Sequence, residues 1–546
     1  MDYRNPAQCL GLLQNLPTDN PVERFSVLAD IIASLLVARP LPEQHLEILE
    51  IARPLIDKTR AKLPSLDGDE LLPPDSQHNA LLLKVIKLWR DLSRSYALVA
   101  ALDAEAGTLK DQRALLAQRR TYYAGKIVSE YYRAHRALPA GVWSQAHECF
   151  IAAEQAGIYS IRVSDTLNVV WKAQSAQEAY ISILLLDLAN AFGRSGQEWT
   201  WICRWAERFA PYCTLSPNIE GRKPTTYGLD LAADHGLRPL GLLQKDSNPR
   251  YFDCNKLASQ IQSVFAQFKQ GVAPSSLGLG EDCGVEASAR LLLSLYRPWG
   301  LASAGRRFPR RGSTGVVELC ADWLTIGFHI QGKLFEQPRH NGPRAMTSSL
   351  GYTHDELALH TFGECAAGVE TELTRNGKRN FSHQHIEAER LGLACEQWEL
   401  LDQSVGGFRL QQRPHSGRFS HHQLVGLRPE DGEYFLLGQV SWLMFREDGL
   451  LEAGIHVLPG LPRVIAVRQR TESDDLREPY SQAFMIEASE VLQITASLIL
   501  PEGWYKINGI IEIFDAGLER QLRMTQLLLR GPNFEQVGFT ERPESA

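Results

Sequence analysis

The stretch WELLDQSVGGFRL, Trp398–Leu410, decides how the C-terminal half is read. Strand-forming residues flank a cluster of turn formers: Asp402, Ser404, Gly406 and Gly407. A simple turn needs one or two such residues. Two readings are open: an ordinary hairpin, or a hairpin whose tip holds a ligand. Working outward, the neighbouring runs EQWELLD, GFRLQQ, HQLVGLRP, EYFLLGQVSWLMF, LEAGIHVL and RVIAVRQR are also strand-like, with PEDGE and REDGL as punctuation. Short strands at this spacing predict an antiparallel barrel or meander. Beyond them, VLQITASLILP, YKINGIIEIFDA and LRMTQLLLRG predict a further small β unit.

Upstream, TGVVELCADWLTIGFHI (314–330) is rich in β-branched and aromatic residues and reads as β. THDELALHTFGECAAGVETELTRNGKR (353–379) predicts a helix inserted between barrel strands. Before about residue 210 the pattern is helical. VERFSVLADIIASLLVA, NALLLKVIKLWRDLSRSYALVAAL and SAQEAYISILLLDLANAFGRSGQEWTWICRWAERFA space their apolar residues by three and four. Asp75 and Ser76 are candidate caps for the second of these. The predicted class is α+β: a helical N-terminal half (1–210), a connector with helices (211–304), an antiparallel β-barrel (305–470) with a helical insertion (331–395), and a C-terminal β unit (471–546).

Composition bounds the function. A 546-residue chain is long enough for about three to four domains. A net charge of -7 excludes bulk electrostatic binding to DNA or RNA, so a nucleotide partner must be captured locally. Nine scattered Cys with no CxxC pair predict free thiols in a reducing compartment. The opening MDYRNPAQCLGLL lacks the basic-then-apolar order of a signal peptide. The longest apolar stretches, 28–38 and 180–192, are too short to span a bilayer. The expectation is a cytoplasmic protein with no membrane span.

Catalytic signatures are weak. Gly278 and Gly280 form a GxG, but a helix rather than a strand precedes it, so it reads as a loop. His383, His385 and Glu387 alternate, as metal ligands on one strand would, yet the neighbouring His residues have no supporting spacing. GxSxG, HExxH and Walker loops are absent, so no enzyme, cofactor or metal is expected.

AGRRFPRRGSTG packs Arg306, Arg307, Arg310 and Arg311 around Phe308 and Pro309. One reading is a solvated loop before a strand. The other is an anion site, because four adjacent guanidiniums repel one another unless an anion sits among them. Arginine pairs bidentately with phosphate and with the O6/N7 edge of guanine, and its flat face stacks on a base.

Together, R-x-x-x-R (Arg306/Arg310 and Arg307/Arg311) and D-x-S-x-x-G (Asp402, Ser404, Gly407) resemble the signature pair of the PilZ domain family. The later V-x-W run and Gly-Ile also resemble its remaining strands. The resemblance covers about 306–330 and 396–470. It implies cyclic di-GMP as ligand. The arginines would clamp phosphate and stack on or bond guanine, Asp402 would accept from guanine N–H groups, and Ser404 would bond base or phosphate. Gly406 and Gly407 would let the backbone approach the ligand. About ninety residues separate Arg311 from Asp402, which departs from the family pattern. A second R-x-x-x-R, Arg375 and Arg379, lies nearer the turn at the end of a predicted helix. The expected function is a cyclic di-GMP receptor that signals through an unidentified protein partner. The alternative is an interaction scaffold with a degenerate barrel that binds no nucleotide.

Overall fold

The structure, a computed structural model, describes residues 6–16, 19–63, 76–243, 249–301, 311–338, 382–404, 406–412, 419–469, 478–490 and 492–541. These residues divide into two compact units, one before residue 306 and one after it. The chain is α+β, with helices first and two closed six-stranded antiparallel barrels after them.

The first unit is built on α1 (Pro6–Gln14), α2 (Pro21–Ala38), α3 (Pro42–Arg60), α4 (Ser76–Ala106), α5 (Arg113–Arg133), α6 (Val142–Gln155), α7 (Ala176–Leu188) and α8 (Gly196–Phe209). Helix α5 packs against α4, α6 and α7. It buries residues on every face, including Leu116, Tyr123, Ile127, Val128 and Tyr132, as a helix at the centre of a core must. The 175–210 run, periodic throughout, holds two helices. Asn190 takes a left-handed φ of 56° after α7. Ser195 with Glu198 then forms a capping box that starts α8, as Ser175 with Glu178 starts α7. Of the two predicted caps of α4, Ser76 opens the helix and Asp75 lies outside the described residues.

Two short strands, β1 (Val163–Ser164) and β2 (Ala173–Gln174), form a ribbon beside α5. The connector region holds β3 (Thr214–Ser216), β4 (Tyr227–Asp230), β5 (Arg238–Pro239) and β6 (Pro249–Asp253), a sheet of order β3-β6-β4-β5. Helices α9 (Asn255–Lys269) and α10 (Val285–Leu295) follow. Between them, Gly278 and Gly280 sit at left-handed φ values of 71° and 118° in a loop. Among the described residues, no helix is long and apolar enough to cross a membrane.

The second unit begins with β7 (Arg311–Gly312) and β8 (Val316–Cys320). The β-rich reading of 314–330 needs correction. The strand stops at Cys320, Asp322 accepts from the Thr325 amide at 2.9 Å, and α11 (Trp323–Gln331) starts on that cap. A further helix, Ser382–Leu391, leads into β9 (Glu396–Ser404), β10 (Gly407–Gln412), β11 (Leu424–Pro429), β12 (Leu436–Phe445) and β13 (Leu451–Val457). Strands β10-β13-β12-β11-β8-β9 close through a β9–β10 pairing, and β7 continues along the edge of β9 that β8 occupies. The predicted helix at 353–379 lies outside the described residues.

The second barrel is β14 (Pro462–Gln469), β15 (Ser481–Ile486), β16 (Ser497–Leu500), β17 (Ile510–Asp515), β18 (Leu518–Arg530) and β19 (Glu535–Glu541). Residues 463–469 of the run read from sequence with the first barrel pair with β15 and β17 instead. Alternation cannot tell which sheet a strand joins. Helix α11 bridges the barrels: Trp323 stacks on Phe484 at 5.0 Å, and its indole donates to the Asn533 carbonyl at 3.2 Å.

Candidate functional site

The site grows from the β9–β10 hairpin. Ser404 pairs with Gly407, and a two-residue separation between paired positions closes antiparallel strands tightly. The Ser404 hydroxyl donates to the Gly407 carbonyl at 3.4 Å. The Gly406 carbonyl accepts from the Val457 amide at 3.1 Å and lies 3.0 Å from His456 Nδ1, which pins the turn to β13. A Cβ at Gly407 would collide with the Ile455 carbonyl oxygen, backbone that a ladder holds in place. Gly407→Ala therefore lowers barrel stability by about 2–3 kcal/mol, the upper part of the overpacking range. A urea midpoint equal to that of the unaltered chain would show that the backbone yields.

A β-bulge sets which way the key side chains point. Leu410 pairs with Leu400, but Arg409 pairs with Asp402, so Leu401 is an extra residue on β9. Trp398 and Leu400 face the core. Simple alternation would send Asp402 inward with them. The bulge reverses the phase and turns Asp402 and Ser404, two residues apart, to the outer face of the barrel.

Asp402 does not stand there alone. Arg409 Nη1 lies 3.7 Å from its Oδ2. The same guanidinium donates through Nε and Nη2 to Glu452 Oε2 at 2.9 and 2.6 Å. Arg446 Nη1 donates to the other Glu452 oxygen at 2.8 Å. Glu452 is fully buried, while both arginines are more than a third exposed. One buried carboxylate thus anchors two outward-reaching cations next to Asp402. Arg409, Arg446 and Glu452 were not singled out from sequence. A signal existed for Arg409: a two-residue turn after Ser404 sets it opposite Asp402.

The basic segment reaches the same place. Arg311–Gly312 pairs antiparallel with Gln403–Asp402, despite the long separation in sequence. The Ser313 amide donates to the Leu401 carbonyl at 3.5 Å, and the Leu400 amide to Gly315 at 3.0 Å. Gln403 Nε2 donates to Ser313 Oγ at 3.5 Å. Arg306, Arg307 and Arg310 lie outside the described residues, as do Arg375 and Arg379; Arg311 is described in its backbone alone.

The alternating trio was read as strand-borne and is not. His383, His385 and Glu387 fall on the helix Ser382–Leu391, where positions two apart do not share a face. His385 Nε2 lies 2.9 Å from Glu318 Oε1 and 2.9 Å from Arg428 Nη2. Arg428, buried, donates to Glu318 Oε2 at 2.6 and 2.9 Å, so these groups form an ionic cluster. Among the described residues, no group of His, Cys, Asp and Glu could hold a metal ion.

With this geometry in view, the likeness to known proteins is specific. Residues 7–219 match the N-terminal domain of the cyclic-di-GMP receptor FimW, and 465–542 match the FimW C-terminal β-barrel domain. The second FimW match coincides with the second barrel, and neither match reaches the first barrel, which lies between them. Over 532 residues the chain is 21% identical to the cyclic-di-GMP receptor FimW of Pseudomonas aeruginosa strain PAO1, covering 91% of this chain and 84% of that protein. No solved structure matches the chain.

Proposed function

We propose that this chain is a cyclic di-GMP receptor, with the messenger docked on the first barrel between the arginine segment 306–311 and the outer face of β9. The observation that carries the reading is the pairing of Arg311–Gly312 with Gln403–Asp402. It brings the end of the R-x-x-x-R segment beside the D-x-S turn, which is the arrangement a PilZ-like site requires. The Pseudomonas relative, a cyclic-di-GMP receptor, supports the same ligand.

The chemistry is complementary. Cyclic di-GMP has two phosphates and two guanines. Arg306, Arg307, Arg310 and Arg311 clamp phosphate and pair with or stack on guanine. Asp402 accepts from guanine N–H groups, and Ser404 bonds base or phosphate. Gly406 and Gly407 keep that edge clear of side chains. Arg409, held by Glu452, orients Asp402. The messenger tightens the 306–313 segment against β9 and so changes a contact with a protein partner; the differential affinity of the two arrangements for ligand makes this a switch. Nothing in this scheme needs a catalytic group or a cofactor.

Isothermal titration of the full chain with cyclic di-GMP tests it. Binding is expected, and Asp402→Ala and Arg310→Ala each weaken it more than tenfold, the loss of one charge-assisted hydrogen bond. Absence of heat at high micromolar ligand, or variants that titrate like the unaltered chain, would leave the barrel as a protein-interaction scaffold.

A further inference from the structure

We propose that Cys395 and Cys320 form a peroxide-sensitive thiol pair at the base of the insertion between β8 and β9, with His329 as the base that takes the Cys395 proton. This goes beyond messenger binding and does not depend on it.

Register places the two sulfurs. Leu319 on β8 pairs with Glu396 on β9, and the next step of that register sets Cys320 opposite Cys395. Residues directly opposite on antiparallel strands have Cα atoms about 4.5–5.5 Å apart, within the span a disulfide bridges. Cys320 is buried and Cys395 half-buried, so an oxidant reaches Cys395 first. Both thiols are free.

His329 on α11 completes the set. Its Nε2 lies 2.9 Å from the Leu393 carbonyl and donates to it, which leaves Nδ1 as the acceptor. That Nδ1 is buried with no hydrogen-bond partner, and the Cys395 thiol interacts with the ring. The ring stacks on Phe435 at 5.0 Å, which fixes its plane. Cys395 is held down to about 6, by the Cys320 hydrogen bond first; burial opposes, and His329 adds its own hydrogen bond and charge. Burial and the Cys395 thiolate push Cys320 up. Burial pulls His329 down, but the Cys395 thiolate outweighs it and raises it. The remaining charged groups facing the cluster are Glu318, which opposes the Cys395 thiolate, and Asp322 beside Cys320. Arg428 and His385 hold Glu318. Cys395 is thus the nucleophile and Cys320 the resolving thiol.

The steps balance with hydrogen peroxide as oxidant. His329 takes the Cys395 proton, and the thiolate attacks one peroxide oxygen. The S–O bond forms, the O–O bond breaks, and the leaving hydroxide takes the proton from His329 as water. Cys320 then attacks the sulfenic sulfur of Cys395. The S–S bond forms, the S–O bond breaks, and hydroxide leaves with the Cys320 proton as a second water. Two electrons pass from sulfur to peroxide. The product clamps the two ends of the insertion together.

The test treats the full chain with equimolar hydrogen peroxide, blocks free thiols and maps peptides by mass spectrometry without reduction. A peptide pair linked through Cys320 and Cys395, two hydrogens lighter than the reduced pair, is expected, with Cys203 still alkylatable. In Cys320→Ser, dimedone marks Cys395. In His329→Gln, checked for folding by circular dichroism, alkylation of Cys395 at neutral pH slows at least tenfold relative to Cys203. If that variant does not fold, the alkylation profile of Cys395 in the unaltered chain decides, with a midpoint of about 6 expected. A midpoint near the ordinary thiol value of about 8.5, or peroxide treatment that leaves both thiols alkylatable, overturns the proposal.

Discussion

Asp165→Ala destabilises the helical unit by about 3–5 kcal/mol, the cost of leaving buried charges unpaired. Asp165 is fully buried beside Arg53 and Arg119, each 3% exposed. Arg53 Nη2 donates to it at 3.2 Å, Arg119 Nη1 lies 3.0 Å away, and Gln118 Nε2 donates at 3.1 Å. The Leu167 amide also donates to it, at 3.1 Å. Without the carboxylate, two guanidiniums on α3 and α5 stay in the interior sharing the Glu50 carboxylate, with neutral partners Tyr123, Gln118 and the Ser164 carbonyl. Hydrogen exchange of α3 and α5 peptides measures the effect; unchanged protection would mean that water reaches the site and screens it. The same group predicts a pH dependence. Burial alone would raise the Asp165 carboxyl, but the Arg53 and Arg119 charges outweigh it and hold it below the usual carboxylate range. Its stabilising effect is fully present above the unfolded value of about 3.9 and is lost as pH falls through the depressed folded value. Acid therefore loosens α3 and α5 in the unaltered chain, and much less in Asp165→Ala.

Trp398→Ala costs the first barrel about 3–5 kcal/mol through lost burial and the cavity left behind. The ring is fully buried, edge-on to Phe419 at 5.2 Å, and its indole donates to Glu396 at 3.1 Å. It is the inward anchor of the strand whose outer face carries Asp402 and Ser404. Peptides spanning 396–412 are expected to lose exchange protection in dilute urea, while helical-unit peptides, which have their own core, keep it. Equal protection in the variant would show that the bulge, rather than the Trp398 core contact, sets the strand.

Much of this was legible from residues 398–410 and their surroundings. Alternation marked β9 and β10, and the spacing of turn formers marked the hairpin between them. Periodicity likewise located α2, α4, α9 and α10. It missed the break at 188–196, because apolar spacing runs through it and only Asn190 and the Ser195 cap interrupt the backbone. It placed 463–469 in the wrong barrel, because a strand pattern shows which face is buried and not which neighbour it bonds. The 314–330 run looked like β throughout, because the Asp322 cap was outweighed by flanking β-branched and aromatic residues.

The sequence by itself determined the α+β order, the hairpin at 404–407 and the residue types on which the proposed guanine-nucleotide site rests. Those are local properties: periodicity, turn chemistry and side-chain valence act over a few residues. Only the tertiary structure decided that Arg311 lies beside Asp402, that a bulge at Leu401 turns Asp402 outward, and that Cys320 faces Cys395 under His329. Each depends on strand pairing between distant segments, and pairing is fixed by backbone hydrogen bonds, which carry no residue code.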